Sequence, residues 1–308
     1  LALFREGRFS MAMRAAKLGS VALLTVALTG IASAADQRVP VRPRAYVPVS
    51  SWTGCYLGGY VGGAWKESDP SVTDLGNALF GAYSGGITAP RREGQHSWNV
   101  SVDSSFLGGG TVGCNWQPVG SPLVLGIEGE VGYLRLQGSS FDPLISPVLT
   151  VAALRGAPDV LGNAKVGDWY GMVTGRVGYA WGQMLIYIKG GAAFVPVRGS
   201  VLDQCNAAAL GCGNWLIATS DSKTITTGTL GGGLEWALPY NWKNWSIKAE
   251  YMFIGLGEHE GLTTCGTAIA PAGTPVPGGA FCFRHDFSGI HTAKIGLNYR
   301  FGPSGWVY

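Results

Sequence analysis

Only 13% of the 308 residues are charged, 49 are glycine, and the formal net charge is +3. A soluble domain carries about twice that share of charge and needs it to cover its surface. So small a positive excess gives no electrostatic footprint for nucleic acid. The balance points to a chain whose exterior is greasy, long enough for one large β domain or two small ones.

In chain order, "LALFREGRFS" (1–10) reads as upstream sequence outside the start at Met11. From Met11 to Ala34 the chain has the parts of an export signal. Arg14 and Lys17 form a positive n-region, Val21 to Leu28 an apolar core, and Ala32, Ser33 and Ala34 a small-residue cleavage site. No cysteine follows the cleavage site at once, so a lipid anchor has no acceptor there. Residues 35–50 are a proline-rich lead-in without alternation. No later segment holds the roughly 18 continuous apolar residues of a transmembrane helix. A spanning chain of this kind must be a closed barrel, because only then is every backbone group paired.

From residue 51 onward, apolar and polar residues alternate in eight segments. "CYLGGYVGGAW" (55–65) puts Leu57, Val61 and Trp65 on one face, Tyr56 and Tyr60 on the other. "FLGGGTVGCNW" (106–116) aligns Phe106, Val112, Cys114 and Trp116. "LVLGIEGEVGYLR" (123–135) sets Leu125, Ile127, Val131 and Tyr133 against Glu128 and Glu130. "DWYGMVTGRVGYAW" (168–181) opposes Trp169, Val173 and Val177 to Asp168, Thr174 and Arg176. "MLIYIKGGAAFV" (184–195) opposes Ile186, Ile188 and Phe194 to Tyr187 and Lys189. "TITTGTLGGGLEWAL" (224–238) opposes Leu230, Leu234 and Trp236 to Thr229 and Glu235. "WSIKAEYMFI" (245–254) opposes Ile247, Ala249 and Tyr251 to Lys248 and Glu250. "HTAKIGLNYRF" (291–301) opposes Ile295, Leu297 and Tyr299 to Lys294, Asn298 and Arg300. Segments of about ten residues with this period are the mark of transmembrane strands.

The connections alternate strictly. Short ones ("QPVGSP", "GQ", "PYNWKN") separate long ones at about 66–105, 136–167, 196–223 and 255–287. The expected fold is all-β: an eight-stranded antiparallel up-and-down transmembrane β-barrel over 51–301, with short periplasmic turns and four long external loops. Residues 302–308 form a C-terminal extension.

The polar face collects Glu128, Glu130, Asp168, Glu235 and Glu250 with Arg176, Lys189, Lys248, Lys294 and Arg300. Turned outward, each charge would cost about 2–4 kcal/mol at the bilayer midplane. Turned inward, five acids and five bases pair across a lumen that eight strands make only wide enough for side chains to fill. The expectation is a lumen ion-pair network acting as a plug. Glu128 and Glu130 side by side resemble a glycosidase acid/base pair, but bases face them and no sugar cleft is expected. "GGG" at 108–110 and 231–233 opens no helix, so it is no dinucleotide loop; glycine there makes room for bulky neighbours.

"WTGCYLGGYVGGAW", "FLGGGTVGCNWQ", "TGRVGYAW", "IYIKGG", "WSIKAEYMFIGLG" and "HTAKIGLNYRF", in this order, resemble the small alphaproteobacterial outer-membrane β-barrel proteins, the major immunogenic surface proteins of rhizobia and relatives. These are distantly similar to the OmpA-type barrel domain. The resemblance implies an outer-membrane location and a structural role in envelope integrity and surface interaction. Some members are described as porin-like or haem-binding, so a narrow channel and a surface haem binder are the alternatives. It supplies no catalytic motif. The family usually ends on the aromatic that Phe301 represents, read by the barrel-insertion machinery; here "GPSGWVY" follows and Tyr308 offers a second terminal aromatic. Positions 55 and 114 usually carry residues other than cysteine.

Six cysteines in an oxidising envelope fall into three candidate pairs: Cys205 with Cys212, Cys265 with Cys282, and Cys55 with Cys114. The first two pairs lie in long loops, the third at the periplasmic ends of adjacent strands. Their spacings match no zinc pattern. Glu258, His259 and Glu260 have ligand chemistry for a metal or haem, though such a cluster is commonly a solvated loop tip. His96 and His285 fall in loops. His291 faces outward near the external rim, where an imidazole meets lipid head groups; with no serine or acid identified beside it, it makes no lipid-modifying site. The sequence thus reads as a non-enzymatic outer-membrane protein that needs no cofactor or metal. Its partners are outer-membrane lipids including lipopolysaccharide, the insertion machinery, and an unidentified molecule at the external loops.

Overall fold

The computed structural model describes residues 51–75, 96–142, 160–204, 216–256, 261–270 and 272–301. The signal and lead-in segments, the 302–308 extension, Cys205, Cys212 and the His259 cluster lie outside them.

Twelve strands follow in chain order: β1 (Gly54–Lys66), β2 (Ser71–Asp74), β3 (His96–Asn99), β4 (Ser105–Trp116), β5 (Leu123–Phe141), β6 (Val160–Trp181), β7 (Met184–Gln204), β8 (Leu216–Ala237), β9 (Trp245–Ile254), β10 (Leu262–Ile269), β11 (Pro275–Asp286) and β12 (Ile290–Phe301). Eight of them close a ring. β1 pairs with β4 and β12. The series β4 to β9 pairs consecutively, and β9 pairs with β12. Every pairing is antiparallel, and because the ring is closed no edge of it is left for lipid to meet. The two-residue turn between β6 and β7 places Gly182 at φ +60°, the positive value that the first residue of a tight hairpin turn takes.

Outward positions are apolar over one band. On β5 they run Leu123, Leu125, Ile127, Val131, Tyr133, all exposed. Ten steps of about 3.3 Å, tilted about 40°, rise about 25 Å, the height of a barrel's hydrocarbon-facing belt. Aromatics rim both ends. Trp116, Trp181, Trp236 and Phe301 are exposed at the short-turn end, and Phe106, Trp169, Phe194 and Tyr251 at the other. Trp65, His291 and Phe253 sit opposite one another on β1, β12 and β9. Tyr251 Oη lies 2.6 Å from His291 Nδ1.

Above the band the chemistry of the two faces exchanges while the strands run on. On β5, Arg135, Gln137 and Ser139 now face out, and Leu134 and Leu136 are buried. On β7, Arg198 faces out, and Val195, Val197 and Val201 are buried. Here water bathes the outside, so the ordinary rule of a soluble β protein applies, apolar inside. In the regions 136–167 and 196–223, expected as long loops, the described residues are therefore almost all strand. β5 reaches Phe141, β6 starts at Val160, β7 reaches Gln204 and β8 starts at Leu216. The other two expected loops also carry strands. β2 pairs with β3 and β11, β11 with β10, and β10 meets β8 at Ile269–Leu216. A Val102–Gly138 bridge ties the segment after β3 to β5. The eight-strand cycle is thus continued upward around an apolar core that includes Val72, Trp98, Leu136, Val197, Ile217 and Phe283.

One irregularity interrupts the wall. The β6–β7 register shifts between Val166 and Gly171, with Gly167 at φ +101° and Asp168 at φ +94°. Val195 and Pro196 of β7 face this bulge. Proline has no N–H to give a ladder, and a bulge is where a strand tolerates it.

Candidate functional site

Inward positions at the level of the apolar band carry charge. Their parity on each strand is that of the sequence alternation, which is why they converge. Glu128 and Glu130 come from β5, Arg176 from β6, Lys189 from β7, Glu235 from β8, Lys248 and Glu250 from β9, Lys294 from β12. All eight are buried, four acids against four bases.

Lys189 Nζ lies 2.7 Å from Glu128 Oε1, 2.8 Å from Glu250 Oε1 and 3.6 Å from Glu130 Oε2. Lys248 Nζ lies 3.3 Å from Glu128 Oε2 and 3.2 Å from Glu250 Oε2. Lys294 pairs with Glu130 and lies 3.6 Å from Glu250 Oε2. Arg176 Nη1 is 3.3 Å from Glu235 Oε2 and 3.8 Å from Glu128 Oε2. Tyrosines complete the carboxylates. Tyr56 donates to Glu128 at 2.6 Å, Tyr170 to Glu130 at 2.7 Å and Tyr187 to Glu250 at 2.7 Å. Asn298 donates to Glu235 at 3.0 Å, and Asn115 Oδ1 accepts from Arg176 Nε at 2.7 Å. The guanidinium of Arg176 also lies 4.8 Å from the Tyr56 ring centroid, and the Lys294 ammonium 4.7 Å from that of Tyr60. A buried charge is tolerable when paired and hydrogen-bonded on this scale.

Glycine makes the space. A Cβ on Gly113 would stand 2.3 Å from Tyr56 Oη, and one on Gly132 would stand 2.2 Å from Tyr60 Oη and 2.7 Å from the Tyr170 ring. Among the described residues, Glu128, Glu130 and Glu250 form the one carboxylate cluster close enough to share a cation. Three lysine ammonium groups already occupy its oxygens, so a metal ion would meet like charge.

The short-turn end is closed separately. Trp52 is fully buried and packs with Val124, Leu185, Tyr187 and Ala237. Its backbone N–H donates to Gln117 Oε1 at 2.6 Å, and Arg300 lies 4.8 Å above its ring.

One sequence assignment is corrected. Asp168 does not enter the lumen. The bulge turns it out, and its carboxylate takes Lys165 Nζ at 2.6 Å with about half of the side chain exposed. Arg300 sits beside Trp52 at the short-turn end of the lumen, donating to Ser51 O at 2.8 Å, and interacts electrostatically with Glu235 and Arg176 of the cluster. Unforeseen participants are Tyr170, which shares the parity of the acids, and Trp52, whose one signal was a large aromatic at the edge of the lead-in; Asn298, placed on the polar face by the alternation, joins the network through Glu235.

Cys55–Cys114 and Cys265–Cys282 are disulfide-bonded. Each joins residues directly opposite on neighbouring strands. Cys265 and Cys282 therefore staple the β10–β11 hairpin rather than a loop. His285, placed in a loop by the sequence, is fully buried on β11. Its Nε2 lies 3.2 Å from Thr264 Oγ1. Burial holds the imidazole pKa down at about 4.

Among solved structures the chain is similar to the outer membrane protein OprG of Pseudomonas aeruginosa, at 13% identity over 82% of this chain and 100% of that one, with a TM-score of 0.41. It is also similar to Ail, the attachment invasion locus protein of Yersinia pestis, at 14% identity over 81% and 99%, with a TM-score of 0.31. A major outer membrane protein of Thermus thermophilus is similar at 13% identity over 80% and 99%, with a TM-score of 0.35. No curated protein matches. The outer membrane protein beta-barrel domain matches residues 22–301, and with a closed ring of eight strands greasy outside and ionic within, the chain belongs to that family of the outer membrane.

Proposed function

We propose that the protein is a non-catalytic structural component of the outer membrane, exported by the signal at 11–34, with residues 35–50 as a periplasmic lead-in. It holds the envelope and presents its external strands and loops, while its lumen stays shut. The carrying observation is the ion-pair cluster: four acids and four bases, with side-chain exposures of 0–3% in their mutual contacts, fill the cross-section where a pore would run. The motif blocks support kinship with the alphaproteobacterial surface barrels and their OmpA-type relatives. Lipopolysaccharide and the insertion machinery are the partners this implies.

The test is single-channel recording in planar bilayers. The wild-type protein is expected to be electrically silent, and steady openings at neutral pH would replace this reading with a narrow channel. A deletion strain is expected to leak large hydrophilic dyes and to keep an unaltered lipid A profile.

A further inference from the structure

Three cations gather on the outer wall just above the aromatic rim, on β5, β6 and β7. Lys165 and Arg198 are directly opposite each other. Gln137 is opposite Lys165 on the far side. Arg135, on the same face of β5, donates from Nε to Gln137 Oε1 at 2.8 Å. Like charges placed directly across a strand pair repel and destabilise it. Asp168 offsets Lys165, at 2.6 Å, and is held there at a positive φ of 94°, a backbone value that non-glycine residues rarely adopt. No acid is paired with Arg198 among the described residues. On β8 the residue opposite Arg198 is Ser222, and Asp221 beside it pairs with the inward-facing Gly199 and turns its Oδ1 to the Ser222 N–H at 2.7 Å.

Height selects the ligand. Arg135 is two residues beyond the rim residue Tyr133, and Arg198 is four beyond Phe194. That is roughly 7 and 13 Å along the strands, and long basic side chains reach back toward the interface. The charged heads therefore stand at the level of the outer-leaflet head groups, where negative charge is borne by glycolipid. We propose that Arg135, Lys165 and Arg198 form a docking site for the anionic head group of an outer-leaflet glycolipid, each guanidinium or ammonium taking a phosphate oxygen. The site rests on the outer-membrane placement and is independent of the plugged lumen.

The test uses full-length protein in nanodiscs of phosphatidylcholine containing bisphosphorylated lipid A, with bound lipid A counted by native mass spectrometry. Heat-modifiable gel migration verifies folding, and bilayer recordings of the same samples report separately on the lumen. Lys165→Ala combined with Arg198→Ala is expected to weaken lipid A retention about thirtyfold, at the usual strength of two interfacial cations. Asp168→Asn is expected to strengthen retention, and added salt to weaken it in the wild type. Equal retention by the folded double variant, equal retention of lipid A stripped of its phosphates, displacement by inorganic phosphate at millimolar concentration, or indifference to salt would each overturn the proposal. Should the double variant fail to fold, Arg198→Gln alone and the salt titration decide the matter.

Discussion

Lys189 reaches Glu128 at 2.7 Å with both side chains shut from solvent, and the same carboxylate also holds Lys248 through its other oxygen at 3.3 Å. Removing the acid leaves Lys189 and Lys248 to share Glu250, at 2.8 and 3.2 Å, and sets four buried bases against three acids. Glu128→Gln is expected to destabilise the barrel by about 3–5 kcal/mol. Urea unfolding in detergent, followed by tryptophan fluorescence, reads this as a lowered midpoint. Adding Lys248→Met removes the surplus buried positive charge and is expected to recover part of the loss; a strictly additive pair would contradict the coupling.

His285 sets an acid limit on the external portion. Its pKa is about 4 in the folded chain against 6.5 for an unperturbed imidazole. The unfolded chain therefore binds the proton first, and stability falls as pH drops from 6.5 toward 4. The window carries about 3 kcal/mol, from the size of the difference. Wild-type protein is expected to lose protease resistance at its external strands across this window, while His285→Leu keeps a flatter profile. Identical profiles would remove His285 as the cause.

The two disulfides close spans of different length, 59 residues for Cys55–Cys114 and 17 for Cys265–Cys282. Chain-entropy arguments assign about 4 and about 3 kcal/mol respectively. Replacing Cys55 and Cys114 by alanine is thus expected to lower the unfolding midpoint more than replacing Cys265 and Cys282. The reverse order would locate the main effect in the native external sheet instead.

Gly132 is expected to resist any side chain. A Cβ there would overlap Tyr60 and Tyr170, whose hydroxyls lie 2.8 Å apart beside Glu130. Gly132→Val is expected to yield little heat-modifiable barrel on refolding, whereas Gly129→Val, facing outward with nothing closer than 3.8 Å, is expected to fold.

The spanning ring was legible because a strand's side chains alternate with period two and lipid demands a consistent face. "LVLGIEGEVGYLR" carries both signals without interruption. The same alternation hid the upper strands. In "VPVRGSV" valine takes the inward positions that lysine and tyrosine hold lower on β7, so a reader tracking one greasy outer face sees the pattern dissolve into a loop. Asp168 was misplaced because parity cannot foresee a bulge; only Gly167 before it and Pro196 on the neighbouring strand hint at one. The charged members of the lumen were found by sign and spacing. Tyr170 was passed over, and Asn298 was given a face but no partner, because uncharged polar groups announce no partner until the strands are in register.

The exchange of faces between Tyr133 and Arg135 has a consequence for immersion. Sinking the barrel by one inward–outward repeat, roughly 7 Å of strand, would drag Arg135 below the acyl boundary, and lifting it equally would strip Tyr133 and Trp169 of their amphiphilic berth. Either excursion is uphill, with a charge in hydrocarbon penalised by up to a few kcal/mol according to depth. The molecule therefore floats at a fixed draught, and a bilayer of another thickness must deform to meet it.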